Sequence, residues 1–355
     1  MNTKLILGLV LALLLGGAWF YNSKNEQSAT TPLSTQITST TGQNSAAPQP
    51  AGESRGEVFE KKIGDSHIAR DQDGFIDREM VPASQKYKSA EEAIAAIKTA
   101  AIEYDDFVLE EFVQLKDCSW CDEMYSQVAK LMNDPSIDID QRSYYGELLA
   151  VSGKLENVKA LVAGLEQAKG DDEKDMFAES LELAVGNDEM VSYLSKYLEN
   201  DDEALRESAV AAISNQGSRF AAETLYKDLL SGKAKDHDYY SLGIGLGEMV
   251  PDEEALPFLQ DLVIKRDQYA DLAIKALINS GLHGLTIVFD SLASEKDEAK
   301  GKALLVDAID HVISEEGVDK FLTAATKNDN YPPFLKEFAA NALEEAKADE
   351  LDDLE

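Results

Sequence analysis

Cys118 and Cys121 are the only cysteines in the chain, three positions apart in LKDCSWCDEMYSQVAKLM, residues 115–132. A C-x-x-C pair can exchange disulfides, ligate a metal or close a small covalent loop. Met124, Val128, Leu131 and Met132 follow at helical spacing, which puts Cys118 in a turn and Cys121 in the first turn of a helix. A helix N-terminus favours the thiolate that exchange requires. The neighbours Asp117, Asp122 and Glu123 oppose it, and the βαβ setting of C-x-x-C oxidoreductases is missing. A structural zinc site needs four ligands, and His67, His237, His283 and His311 are scattered. A c-type haem needs His directly after the second Cys, where Asp122 stands. In an oxidising compartment the two thiols are expected to pair. The expectation is a local structural disulfide worth about 2 kcal/mol for so short a loop, with a redox-active Cys118/Cys121 pair as the alternative.

The second candidate is DQDGFIDRE, residues 71–79. Set on a calcium loop with Gly74 in the sixth place, Asp71 and Asp73 fall on ligand positions and Asp77 adds a third carboxylate. Ala69 and Met80 occupy the places of the first ligand and the bidentate Glu, so the loop is incomplete and reads as an acidic turn. No G-x-S-x-G, H-E-x-x-H or phosphate loop is present. Acidic pairs are too numerous to single out two as catalytic. No catalytic residue, cofactor site or small-molecule substrate site is legible, and a non-enzymatic role is expected. Tyr239, Tyr240, Tyr269, Tyr331 and Phe334 are expected in the core, with a binding surface as the alternative.

The elements that would position these residues are helices. From about Ser89, amphipathic stretches alternate with short breaks of Asp, Gly, Asn or Pro. Asp140, Asp171, Asp201, Asp236, Asp267, Asp297 and Asp329 mark breaks spaced by 31, 30, 35, 31, 30 and 32 residues. Two helix-length segments lie between consecutive breaks. The second of each pair carries an i, i+3, i+4, i+7 stripe, as in Val158–Leu161–Val162–Leu165, Met190–Val191–Leu194–Leu198 and Val318–Phe321–Leu322–Ala325. First helices are Ala-rich, as in residues 207–213, 270–277 and 302–309. Gly186, Gly217 and Gly281 stand near helix ends, and acids crowd the next first turn, where they cap the helix and complement its dipole. No segment reads as a strand.

Two helices per repeat of about 30 residues is the mark of an α-solenoid. Residues 140–350 resemble the HEAT-repeat class in period, in Ala-rich first helices and in acidic turns such as DDEALRESAVAAI. The resemblance implies an all-α, right-handed solenoid of about six to seven hairpins, related to armadillo arrays, that binds other macromolecules. Its expected bounds are 89–350, with a transitional segment at 57–88 and an acidic tail at 351–355.

The remaining N-terminal residues differ in kind. LILGLVLALLL, residues 5–15, follows a lone Lys4 and precedes the aromatic trio Trp19, Phe20 and Tyr21. Residues 1–21 read as an uncleaved signal anchor, short for a membrane span, with cleavage near Ala18 as the alternative. Residues 22–56, rich in Ser, Thr, Gln and Pro, read as a disordered linker with a reach of roughly 30–35 Å. No Asn begins a glycosylation sequon. The expected location is the bacterial inner membrane, single-pass, with the C-terminal domain in the periplasm. A soluble periplasmic protein is the alternative.

The formal charge is −34, and the residues beyond 56 carry −35. Such a field repels nucleic acid and anionic headgroups and attracts basic proteins or peptides. The expected partner is a protein or peptide, a basic one matching the charge best. High charge also serves plain solubility.

Overall fold

The computed structural model of the chain describes residues 68–70, 76–78, 82–113, 115, 118–231, 245–314 and 316–352, all within one compact unit. The anchor, the linker and the loop acids Asp71 and Asp73 lie outside the described residues, as do Tyr239, Tyr240, His67 and His237.

The described chain is helical, as the periodicity predicts. Helices α1 (Ala83–Lys86), α2 (Ala90–Glu103), α3 (Asp106–Glu111) and α4 (Cys121–Met132) come first. Hairpins follow: α5 (Ile139–Val151) with α6 (Leu155–Gln167), α7 (Asp171–Glu182) with α8 (Asp188–Leu194), and α9 (Glu203–Ser214) with α10 (Arg219–Ser231). After the undescribed residues 232–244 come α11 (Leu256–Lys265), α12 (Ala270–Asn279) with α13 (Leu282–Leu292), α14 (Glu298–Leu304) with α15 (Glu316–Ala325), and α16 (Pro333–Asp352). At three of the breaks an acid does the capping expected, whereas Asp140 and Asp171 lie inside α5 and α7 and Gly170 gives α7 no side-chain cap. Asp138, Asp202 and Asp297 accept hydrogen bonds from the first-turn amides of α5, α9 and α14.

Two expectations need correction. A short antiparallel pair, β1 (Ile68–Arg70) and β2 (Ile76–Arg78), with Ala69 opposite Asp77, stands where no strand was expected. Three-residue strands are too brief to display period-two alternation. The Ala-rich stretch 302–309 is not one helix either. Helix α14 stops at Leu304, Asp307 takes a left-handed φ of 58°, and a 3-10 turn covers Ile309–His311.

Neighbouring hairpins pack in chain order. First helices touch first helices, α5 on α7, α7 on α9, then α12 on α14 and α14 on α16. Second helices form the other series: α6, α8, α10, α11, α13, α15. Their apolar stripes explain this. Val158, Leu161, Val162, Met190, Val191, Leu194, Leu259 and Val263 are all buried, and no single hairpin could cover its own stripe. Small residues set the close approaches: a Cβ on Gly284 would lie 1.7 Å from the Leu277 carbonyl oxygen, so glycine lets α13 lie against α12.

Polar ties fix the register between hairpins. The Val185 amide donates to Ala150 O (3.2 Å) and the Asp252 amide to Gly217 O (2.9 Å). Gln216 Nε2 donates to Ala184 O at 2.8 Å, while its Oε1 accepts from the Gly186 amide at 2.7 Å. Asn279 Nδ2 donates to Gly247 O and Met249 O, and its Oδ1 meets His311 Nδ1 at 2.9 Å. Buried Arg142 joins α5 to Glu173 of α7, and Lys174 joins α7 to Asp202 before α9 at 2.9 Å.

Candidate functional site

The cysteine pair sits where the spacing puts it. Cys118 lies in the turn and Cys121 opens α4, with the Cys121 amide donating to Cys118 O at 3.2 Å. Their Sγ atoms are 2.05 Å apart, at disulfide distance, with the Cα atoms 5.2 Å apart. Cys121 is fully buried among Met124, Tyr125 and Val128, Trp120 is buried beside it, and Cys118 is half-buried. Tyr125 donates its hydroxyl to Leu115 O at 3.3 Å, which ties the preceding loop to α4 from the same side. Lys154 spans the next junction. It pairs with Asp122, holding that carboxyl below its usual range, and lies 5.3 Å from the Tyr125 ring centre. Cys121 is thus sunk in the core with Asp122 next to it in the chain, and Cys118 is the more accessible of the two.

The calcium-like segment gains no helical flanks. Asp77 lies in β2, and the segment joins two strands where a calcium loop of this type joins two helices. Among the described residues, no three His, Cys, Asp or Glu side chains gather as a metal set. An open groove of about 400 Å³ between α2 and α4 is lined by Ile94 and Leu131 with Lys98, Glu123, Gln127 and Lys130.

Among the described residues, His311, Tyr269, Tyr331 and Phe334 serve packing. Burial holds His311 below its usual pKa, and its ring bonds Asn279 of the preceding hairpin. His283 Nδ1 meets Glu253 at 3.1 Å on the surface. Phe334 is buried, Tyr331 packs edge-on against Phe289, and Tyr269 donates its hydroxyl to Leu229 O at 2.9 Å.

Sequence reasoning did not find the place where acids accumulate. Glu182, the last residue of α7, is half-buried, with exposed Glu179 one turn earlier on α7 and Glu207 on the packed α9. Burial first, then the charges of Glu179 and Glu207, push the Glu182 carboxyl up to about 7. Glu179 is itself raised, by burial and by Asp175. Near the turns, burial and the charges of Glu254 and Asp188 raise Asp252 against the hydrogen bonds that hold it down. Burial and like charges from different hairpins thus disfavour ionisation of these carboxyls. In the sequence these residues are indistinguishable from the dozens of other acids. Only the stacking of α7 on α9 singles them out.

No helix among the described residues is long and apolar enough to cross a membrane. The sequence matches no protein-family model and no curated protein.

Proposed function

We propose that this chain is a non-enzymatic interaction scaffold. Its hairpins form a HEAT-like α-solenoid of about six to seven units, tethered to the bacterial inner membrane through residues 5–21. The array presents an acidic surface in the periplasm to a basic protein or peptide. Chain-order packing of both helix series supports the array. The observation that carries the reading is Glu182, whose carboxyl is pushed up to about 7 by burial first and then by the charges of Glu179 on its own helix and Glu207 on the next hairpin. Holding such charges together costs stability, and a basic side chain docked among them recovers that cost and gains attraction that salt screens.

The test is titration of the full chain with an oligolysine peptide at low and high salt. Affinity is expected to fall steeply with salt, and to fall about tenfold or more at low salt in the Glu179→Gln/Glu182→Gln/Glu207→Gln variant. Equal affinity of variant and parent at low salt would remove the reading.

Disulfide exchange at Cys118 is the second reading. Its support is the half-buried sulfur at the start of α4. Full burial of Cys121 and the adjacent Asp122 weigh for a staple. A reduction potential below about −300 mV would mark the bond as inert.

A further inference from the structure

Four large apolar side chains stand in solvent along the turns that join first to second helices. Phe220, Val250, Leu282 and Ile313 are 36%, 42%, 37% and 63% exposed. Their spacings in the sequence are 30, 32 and 31 residues, which is the repeat period. Each lies in the turn before a second-row helix or in that helix's first residues, in four consecutive hairpins. These turns touch one another. The Asp252 amide reaches Gly217 O, His283 reaches Glu253, and a Cβ on Gly317 would lie 3.2 Å from Leu282 Cδ2.

Single exposed apolar residues need no explanation. A series at the repeat period along one connected edge does, because each of these residues keeps a third or more of its surface uncovered in four successive hairpins. Carboxylates share the edge. Asp188, Glu189, Glu253 and Glu254 are exposed there, and burial first, then the charges of Glu254 and Asp188, raise the Asp252 carboxyl. Ser218 Oγ donates to Asp188 at 3.0 Å and continues the edge to the hairpin before.

We propose that this edge binds an extended basic segment of a partner protein that carries an apolar side chain at every third residue, with Lys or Arg between. Packed helices lie about 8–10 Å apart. A polyproline II segment has three residues per turn and rises about 3.1 Å per residue, so one of its faces recurs about every 9 Å. A helix turn of about 5.4 Å and a strand repeat of about 6.6 Å do not match that pitch. The apolar residues of the segment would meet Phe220, Val250, Leu282 and Ile313 in turn, and its cations would meet Asp188 and Glu189 before Phe220 and Glu253 and Glu254 beside Val250. The inference rests on the reading of a basic partner and adds its place, shape and register.

The experiment compares three peptides on the full chain by fluorescence anisotropy: four Leu-Pro-Lys repeats, a peptide of the same composition with its leucines in one block, and oligolysine. The repeat peptide is expected to bind at least tenfold tighter than the block peptide. The Leu282→Ser/Ile313→Ser variant is expected to weaken the repeat peptide at least tenfold and leave oligolysine unchanged. Phe220→Ser/Val250→Ser serves as a second variant should the first melt at lower temperature than the parent. Equal binding of repeat and block peptides, or unchanged binding in both variants, overturns the edge. If oligolysine still binds in a salt-dependent way, the basic-partner reading survives that result. If oligolysine fails as well, both are lost.

Discussion

Gln216→Ala tests whether the hairpins are held in register by their turns. Gln216 follows α9, and its amide clasps the turn of the preceding hairpin from both ends, donating to Ala184 O at 2.8 Å and accepting from the Gly186 amide at 2.7 Å. The substitution removes two ties between hairpins and leaves the half-buried Gly186 amide without that acceptor. A net hydrogen bond contributes about 1 kcal/mol, and stranding one partner costs more, so the loss is about 2–3 kcal/mol. In a stacked array each unit couples to its neighbours, so the loss falls on the α7/α8–α9/α10 junction. Native-state hydrogen exchange reads this directly. The Gly186 amide is expected to exchange about 30- to 150-fold faster, the factor corresponding to that energy. Gln127→Ala is the control, since Gln127 bonds Glu123 within α4 at 3.4 Å; its effect is expected to stay within about 0.5 kcal/mol. Unchanged exchange at Gly186, with urea stability within about 0.5 kcal/mol of the parent, would refute the claim that these ties set the register.

Two further outcomes follow from the acid cluster and the staple. The folded pKa of Glu182, about 7, lies above its ordinary value of 4.5. Between those values the folded protein keeps a proton that the unfolded chain has released, so stability declines as pH rises through that window. Glu182→Gln is therefore expected to be more stable than the parent by about 2–3 kcal/mol at pH 8 and nearly equal to it near pH 4.5, read by urea unfolding at both pH values. A constant difference across the window would show that Glu182 is not the group responsible. Reduction of the Cys118–Cys121 bond is expected to cost about 2 kcal/mol, because the closed loop is short. A loss above about 4 kcal/mol would mean that the bond holds α4 against the rest of the core and does more than close a turn.

The helices and their order were legible in the sequence because they depend on local chemistry. Apolar residues at i, i+3, i+4 and i+7 make a stripe wherever the helix lies, and Asp138, Asp202 and Asp297 cap their own first turns without help from another hairpin. The cysteine pair was legible for the same reason, since three residues of chain bring Cys118 and Cys121 together at the start of α4. The β1–β2 pair was not, because three-residue strands carry too little pattern. The end of α14 at Leu304 was not either. Residues 302–309 are good helix formers, and a left-handed Asp307 breaks them where the chain must turn to bring His311 onto Asn279.

The sites were decided by the tertiary structure alone. Glu182 is one acid among 67 acidic residues until α9 packs on α7 and brings Glu207 beside it. Phe220, Val250, Leu282 and Ile313 are not distinguished in the sequence from other apolar residues until packing leaves them partly uncovered on connected turns. Periodicity specifies which face of a helix is apolar. It does not specify which residues at the rim of that face the neighbouring hairpin will cover, because coverage depends on the offset between helices that are distant in sequence. That offset is set by long-range ties such as Gln216 to Ala184 and Asn279 to Gly247.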